Sequence, residues 1–165
     1  MQSLSIGCDA HKHYCHLEVQ DASGQVLTRA RLDHHPGAVA SFFSRFPSGT
    51  PVAFESVGNW CWIADEIEAA GCHPLLTNPA KAKLMMCHVN KTDKLDANGL
   101  ATLLRIGSPS TVWLPPAPLR DQRELPRTRM ALCAMRTSLK NRIHSLLAKY
   151  ALSPEDGAEL FSKRG

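Results

Sequence analysis

The chain has 165 residues, 44% of them hydrophobic, which is enough for one domain of ordinary size plus an extension. No apolar run approaches the roughly 20 residues that span a membrane, and the N-terminus lacks the apolar core of a signal peptide. We therefore expect a soluble, intracellular protein. The six cysteines include no C-x-x-C pair, which argues against a zinc ribbon or redox motif and predicts reduced thiols in the core.

The positive charge is concentrated in the last third of the chain. The formal net charge is +4, but positions 120–149 hold eight Lys or Arg against two acids, a local charge of +6. The rest of the chain therefore carries −2. This segregation predicts an acidic site on one body and a polyanion-binding segment attached to it.

Three strands are predicted at the start of the chain. Residues 4–9 are a short apolar run with small side chains, which is typical of a buried strand. Residues 13–20 and 26–32 alternate between polar and apolar side chains, as half-buried strands do. The turn residues at 21–24 make the three strands an antiparallel meander.

Helices and strands alternate after the meander. A short helix opened by Pro36 precedes a strand at 51–55, a helix at 60–70, a strand at 73–77 and a helix at 80–87. Strands separated by helices should run parallel, joined by right-handed crossovers onto the first strand. The predicted fold class is therefore α/β, a mixed five-stranded sheet with flanking helices, which is the arrangement of the ribonuclease H fold.

Four carboxylates occupy ends of predicted elements. Asp9 ends the first strand and Glu55 the fourth, and open α/β sheets place their sites at such strand ends. Asp93 and Asp96 begin a helix with Thr92 as the expected N-cap. Because they are three residues apart, they share a face and continue the apolar stripe of that helix. Carboxylates directed toward a core need compensation, so a divalent metal is a reasonable partner.

Together, the four acids predict a metal site. Two Mg²⁺ ions about 4 Å apart would neutralise them and suit in-line chemistry at a phosphodiester. Hard carboxylate oxygens fit Mg²⁺ or Mn²⁺ better than zinc. Each acid also has an ordinary alternative, namely a turn cap for Asp9, an ion pair for Glu55, and the helix dipole for Asp93 and Asp96.

A histidine-rich stretch follows the first strand. His11, His13 and His16 lie close to Cys15 in sequence. Strand alternation puts Cys15 opposite His16, so no single face carries the whole set that zinc would need. Zinc is therefore the weaker interpretation of this stretch.

Two lysines lie close to the acids in sequence. Lys12 follows Asp9, and Lys91 precedes Asp93. Both could contact phosphate near the metals. The alternative is that they are solvated surface lysines.

A proline-rich segment at 115–118 marks a linker or domain boundary. We therefore predict a catalytic domain at 1–114 and a helical extension at 115–165. The last residues show no visible stop in the architecture, so the sequence is expected to continue in a longer protein.

The extension is predicted to be a long basic helix at 119–152, interrupted in its first part by Pro126. Leu, Ile and Met side chains form a stripe that could pair with another helix. Arg136, Lys140 and Arg142 recur on the flank of that stripe and could face nucleic-acid phosphates. A solvated coiled-coil face is the alternative.

Four segments carry a resemblance to a known family. They are IGCDAHK at 6–12, ESVGNW at 55–60, KTDKLDA at 91–97 and LKNRIH at 139–144. Together they resemble the N-terminal half of DEDD transposases of the IS-one-ten type, which are relatives of the pilin-gene invertases. The last two segments are the more specific ones.

The resemblance implies a RuvC-like ribonuclease H fold in which Asp9, Glu55, Asp93 and Asp96 match the Mg²⁺-binding tetrad of the family. It also implies DNA recombination guided by a structured RNA and carried out by a multimer, a dimer or a tetramer. A second domain with a serine nucleophile completes the active site in that family, and no part of this chain corresponds to it. The sequence departs from the usual pattern at three places. They are Ala10-His11, in place of Val-Ser, Asn59, at a common glycine position, and Pro126, in a segment that is commonly an uninterrupted helix.

The expected function is therefore Mg²⁺-dependent DNA strand cleavage and exchange in insertion-sequence transposition. The expected partners are DNA, a guide RNA and further copies of the chain, in the bacterial cytoplasm at the nucleoid. Two rival interpretations stay open. One is a self-sufficient metal-dependent nuclease or Holliday-junction resolvase that uses metal-activated water. The other is a truncated, non-catalytic remnant that binds nucleic acid or dimerises.

Overall fold

The computed structural model describes residues 3–86, 93–153 and 160–161, apart from the side chains of residues 93–95. Five strands form one sheet in the order β3-β2-β1-β4-β5. They are β1 (Ser5–Ala10), β2 (Tyr14–Gln20), β3 (Val26–Asp33), β4 (Pro51–Glu55) and β5 (His73–Thr77). The first three strands are antiparallel, whereas β4 runs parallel to β1 and β5 parallel to β4. The predicted meander and the predicted parallel strands are both confirmed.

The helices of the described residues are α1 (Ala38–Phe43), α2 (Trp60–Ala69), α3 (Pro79–Met86), α4 (Asp93–Arg105) and α5 (Ala117–Lys149). Asn78 caps α3, because its side-chain oxygen accepts a hydrogen bond from the backbone N–H of Lys81 at 3.1 Å. The predicted cap of α4, Thr92, lies outside the described residues. With this sheet order and its flanking helices, the first part of the chain has an α/β ribonuclease H-like fold.

Different helices cover the two faces of the sheet. Ile6, Cys8 and Phe54 point into the larger core, which α1 and α2 complete. On the opposite face, Ala53 packs with side chains of α3 and α4. Alternation along a strand therefore decides which helices each residue of β1 and β4 meets.

Gly7 is the point where α4 crosses β1. A Cβ atom at this position would overlap the backbone of Ala97 and Ala101. The missing side chain thus allows two backbones to approach closely, which no other residue would permit here. The consequence is a helix held directly against the middle strand of the sheet.

The half-burial predicted for β2 is wrong. Cys15, Leu17 and Val19 face the larger core as expected, but Glu18 and Gln20 on the other face are also buried. Helix α4 lies against β2 and supplies hydrogen-bond partners for these polar side chains. Nothing in the local alternation indicates that a helix so far along the chain covers this face.

The interruption predicted at Pro126 is also wrong, because α5 is one helix of 33 residues with Pro126 inside it. Proline removes one backbone N–H and crowds the preceding turn, which costs about 3 kcal/mol in a helix interior. A proline can bend a helix without ending it when regular turns flank it on both sides.

The chain divides into two compact units, residues 1–117 and residues 118–165. In the described part of the second unit, the apolar stripe of α5 is exposed at Leu132, Met135, Leu139 and Ile143. Within the described residues, no helix has both the length and the apolar character that a membrane crossing requires.

The five cysteines among the described residues are all free thiols. Cys8, Cys15 and Cys72 are buried, in agreement with the prediction of reduced core thiols. Cys61 is exposed and Cys133 is half-buried, so a core location is wrong for these two. Both lie on helices, where one side faces solvent.

Candidate metal and nucleic-acid site

Glu55 is the last residue of β4 and Asp9 the last but one of β1, two neighbouring parallel strands. The register pairs Gly7 with Ala53 and Cys8 with Phe54, so one further step along both strands brings Asp9 beside Glu55. Neighbouring strands are about 4.8 Å apart. Asp9 lies two residues after Gly7, and Glu55 lies two residues after Ala53. Because side chains alternate along a strand, both carboxylates lie on the face of the sheet that α4 covers.

These carboxylates are largely withdrawn from water. Asp9 is 6% exposed, Glu55 is 9% exposed, and Asp96 on α4 is 4% exposed. Asp96 directly precedes Ala97, whose backbone lies against Gly7 of β1. Three buried acids thus belong to one face of the sheet, two at strand ends and one on the helix that crosses it.

The fourth predicted acid, Asp93, is the first residue of α4. Its side chain lies outside the description, as does all of Lys91. Among the described side chains, no group of three His, Cys, Asp or Glu is arranged to hold a metal ion. The metal-binding role of the four acids therefore stays a prediction.

His11 contacts one of the candidate ligands. Its Nε2 lies 3.0 Å from Oδ2 of Asp9, and its ring stacks on Tyr14 with the centroids 4.6 Å apart. Asn59 donates from Nδ2 to the backbone carbonyl of His11 at 2.7 Å. Two of the departures from the usual family pattern, His11 and Asn59, are thus in contact with each other, which sequence reasoning did not foresee.

The structure arranges the histidine-rich stretch around a tyrosine. The rings of His11 and His16 each meet the ring of Tyr14, and His16 approaches it edge-on at 5.5 Å. Cys15 points the other way, into the larger core. Cys15 and His16 therefore lie on opposite faces of β2, as alternation predicts.

Glu18 is a functional candidate that sequence reasoning missed. It is 1% exposed and accepts hydrogen bonds from Gln20 Nε2 at 2.9 Å, from Arg29 Nε at 2.8 Å and from Asn98 Nδ2. Burial by itself would raise the pKa of Glu18. The hydrogen bonds from Gln20, Arg29 and Asn98 outweigh this effect of burial, so the pKa lies below its ordinary value. The carboxylate therefore joins β2 to β3 and to α4.

A polar stripe on α4 is the signal that could have revealed this network. Asn98, Thr102 and Arg105 are spaced by four and three residues, so they share one side of the helix. Gln20 bonds to the Thr102 hydroxyl at 3.1 Å and accepts from Arg105 Nε at 3.3 Å. Polar side chains at this spacing indicate a helix face that meets other polar groups.

A groove adjoins the buried acids on the same face of the sheet. It has a volume of about 370 Å³ and lies between β2, β3 and α4. Its lining includes His16, Arg29, Arg31 and Ala97. His16 is the register partner of Asp9, and Ala97 follows Asp96 in α4.

The predicted nucleic-acid contacts lie in several places. Lys12 is exposed and lines a separate pocket with His34 and Trp62. Arg136 and Arg142 are exposed on α5. Lys140, the third predicted contact on α5, is half-buried, and its Nζ lies 4.9 Å from the ring centroid of Phe161.

Sheet order and the acids at adjacent strand ends define a protein of the ribonuclease H-like class. Residues 6–152 match the family model of the DEDD transposases of the IS110 (IS-one-ten) type. Because this match covers most of the sequence, the chain belongs to that transposase family, as the four sequence segments predicted.

Comparison with solved structures found a chain of T. thermophilus RuvC in complex with a Holliday junction substrate. The similarity covers 66% of this chain and 99% of that chain, with 13% sequence identity and a TM-score of 0.46. A comparison with curated proteins found no match.

Proposed function

We propose that this chain is the metal-dependent catalytic domain of a DNA transposase. In this proposal Asp9, Glu55, Asp93 and Asp96 hold two Mg²⁺ ions at a DNA phosphodiester, and Mn²⁺ can substitute. The observation that carries the proposal is the pair of buried carboxylates at adjacent parallel strand ends, beneath the helix that bears Asp96. Buried like charges are costly to maintain, and a hard divalent cation would offset that cost.

The donor set suits such ions, because carboxylate oxygens are the ligands that Mg²⁺ and Mn²⁺ prefer. When bound, two ions would stabilise charge on the attacking and leaving oxygens of the phosphodiester. The chain's own residues would hold the ions and orient the ligands. His11 contributes to that orientation through its contact with Oδ2 of Asp9.

Family membership supports finer proposals about the whole reaction. The chain would take part in insertion-sequence transposition with a guide RNA, in the bacterial cytoplasm, as part of a homo-oligomer. A serine supplied by a second domain would attack the DNA. On α5, Arg136, Lys140 and Arg142 would contact nucleic-acid phosphates, as would Lys12 and Lys91 near the acids.

Calorimetric titration with Mn²⁺ tests the metal site directly. We expect the wild-type chain to bind the ion, and Asp96→Asn to lose most of that binding because the variant removes a charged ligand without changing the size of the side chain. Asp33→Asn is the matched control, since Asp33 is an exposed acid at the end of β3. Equal binding by wild type and Asp96→Asn would refute the assignment of Asp96 as a ligand.

A nicking assay on supercoiled DNA with Mg²⁺ then separates the rival functions. Cleavage by this chain alone would favour the self-sufficient nuclease, whereas metal binding without cleavage would agree with a site that another domain completes. Absence of both metal binding and cleavage, with retained nucleic-acid binding, would favour the non-catalytic remnant.

A further inference from the structure

The groove beside the acids presents positive charge. The side chains of Arg29 and Arg31 are 61% and 51% exposed, whereas the buried carboxylate in the lining, Glu18, is bonded to Arg29 Nε at 2.8 Å. Arg31 also pairs with the exposed carboxylate of Asp33, at 2.8 Å from NH1. A ligand entering the groove therefore meets guanidinium groups before it meets the buried acid.

The groove is aligned with the acids across the sheet. Register pairs place Asp9 opposite His16, and His16 opposite Arg31. With Glu55 beside Asp9, these four residues form one row across β4, β1, β2 and β3. Two strand spacings separate Asp9 from Arg31, about 10 Å between backbones. A strand of nucleic acid crossing the sheet along this row would pass from the acids to the guanidinium groups.

Arg31 is held in place on this row. Its guanidinium carbon lies 4.3 Å from the ring centroid of Tyr14, and Tyr14 packs against His11 and His16. A stacked guanidinium keeps its planar set of N–H donors in one orientation, so it loses little freedom when it binds an anion. Such a fork matches the geometry of a phosphate.

We propose that the groove between β2, β3 and α4 binds the sugar–phosphate backbone of a DNA strand, with Arg29 and Arg31 contacting a phosphate next to the phosphodiester at the acids. The identity of that strand as the one to be cleaved rests on the proposed function. Binding itself requires no metal. The groove volume of about 370 Å³ leaves room for backbone atoms.

Arg31 is the residue to replace in a test. Arg29 bonds to buried Glu18, so its removal would leave a buried charge uncompensated. Arg45 is the matched control, because it is also exposed and also stacks on a ring, with its guanidinium carbon 4.2 Å from the centroid of Phe42. Phe42 belongs to the larger core on the other face of the sheet.

The experiment is fluorescence anisotropy of a labelled single-stranded DNA oligonucleotide in EDTA at several salt concentrations. We expect Arg31→Gln to weaken binding at least fivefold and to reduce the slope of log K against log salt by about 0.7, the value for one phosphate contact on a single strand. Arg45→Gln should bind as the wild type does. Arg31→Lys should keep the salt slope, because it keeps the charge, and lose part of the affinity.

Two results would overturn the groove as a DNA site. One is an affinity and salt slope for Arg31→Gln equal to those of Arg45→Gln. The other is an effect confined to an RNA oligonucleotide of the same sequence. If Arg31→Gln does not fold, as judged by circular dichroism, an affinity of Arg31→Lys equal to that of the wild type would overturn the proposal as well.

The assay also separates this proposal from the proposed function. Because EDTA removes divalent ions, DNA binding that depends on Arg31 would stand even if Mn²⁺ titration showed no metal site. Conversely, metal binding that depends on Asp96, together with unchanged DNA binding by Arg31→Gln, would refute the groove alone.

Discussion

Glu18 is a carboxylate held out of water by three hydrogen-bond donors. Gln20, Arg29 and Asn98 all present N–H groups to its oxygens. An ionised carboxylate accepts only, so it satisfies all three partners at once. A glutamine at this position would turn an N–H₂ group toward other donors, and its single oxygen could not replace both carboxylate oxygens.

We therefore expect Glu18→Gln to lower the free energy of unfolding by about 1–3 kcal/mol, the cost of unsatisfied buried polar groups. Urea denaturation at neutral pH measures this change. Asp33→Asn on the neighbouring strand is the control, because Asp33 is exposed and its ion pair is with Arg31, which is also exposed. Equal stability of both variants would show that the network around Glu18 contributes little.

The stabilising effect of Glu18 should also depend on pH. Its folded-state pKa is lowered, so the ionised form stabilises the fold above the unfolded-state pKa of about 4.3. That contribution is lost as the pH falls through the folded-state pKa. The difference in unfolding free energy between wild type and Glu18→Gln should thus be constant near pH 7 and shrink below about pH 4, as a denaturation series across pH would show.

At the scale of elements, the contact between β1 and α4 positions the candidate site. Gly7 lies where the backbone of α4 meets the strand, and Asp9 and Asp96 lie next to this crossing on the two elements. A change that moves α4 away from β1 should therefore alter the distance between the two acids. The polar stripe of α4 on β2 is the second attachment of the same helix.

We expect Gly7→Ala to lower the free energy of unfolding by about 1–3 kcal/mol, because the added Cβ overlaps backbone atoms that cannot rotate away. It should also weaken Mn²⁺ binding in a calorimetric titration by displacing Asp96. The matched control is Gly58→Ala, where an added Cβ would meet nothing within 4 Å. Wild-type stability and metal affinity in Gly7→Ala would contradict the close approach of α4 to β1.

At the scale of the whole molecule, the second unit exposes an apolar stripe. Leu139 is 66% exposed and Ile143 is 41% exposed on α5, within the stripe that the 3.6-residue period predicts. Apolar side chains repeated along one side of a long helix are suited to packing against another helix. A second copy of the chain is the partner that the predicted homo-oligomer implies.

We expect the double variant Leu139→Gln and Ile143→Gln to dissociate that oligomer, as sedimentation equilibrium would measure. Met130→Gln is the control, because Met130 is 72% exposed but lies on roughly the opposite side of α5 from Leu139. A wild-type chain that sediments as a monomer, or an oligomer that survives the double variant, would refute pairing through this stripe.

Most elements of the first unit could be predicted from local patterns. Alternation revealed β2 and β3, turn residues separated them, and Pro and Gly marked the ends of helices. The acids of the candidate site could be named as well. Glu55 ends β4, Asp9 lies one residue before the end of β1, and Asp96 is spaced to share a helix face with Asp93. These signals work because strand and helix periods are short enough to be contained in a few residues.

The burial of Glu18, the groove beside it and the contact between His11 and Asn59 could not be predicted in this way. Each depends on residues that are distant in sequence, and a window of ten residues does not encode which helix covers which face. Pro126 is another case in which a local signal was not enough. Proline tends to end a helix, but the regular turns on both sides of Pro126 continue α5 through it.

By itself, then, the sequence determined the order of strands and helices, the family and the acids at the strand ends, because periodicity, turn chemistry and short motifs act locally. Only the tertiary structure decided that Asp9, His16 and Arg31 lie in one row and that a helix covers the polar face of β2. The physical reason is that register and packing are set by the burial of side chains far apart in the chain, where the gain from one contact depends on all the others.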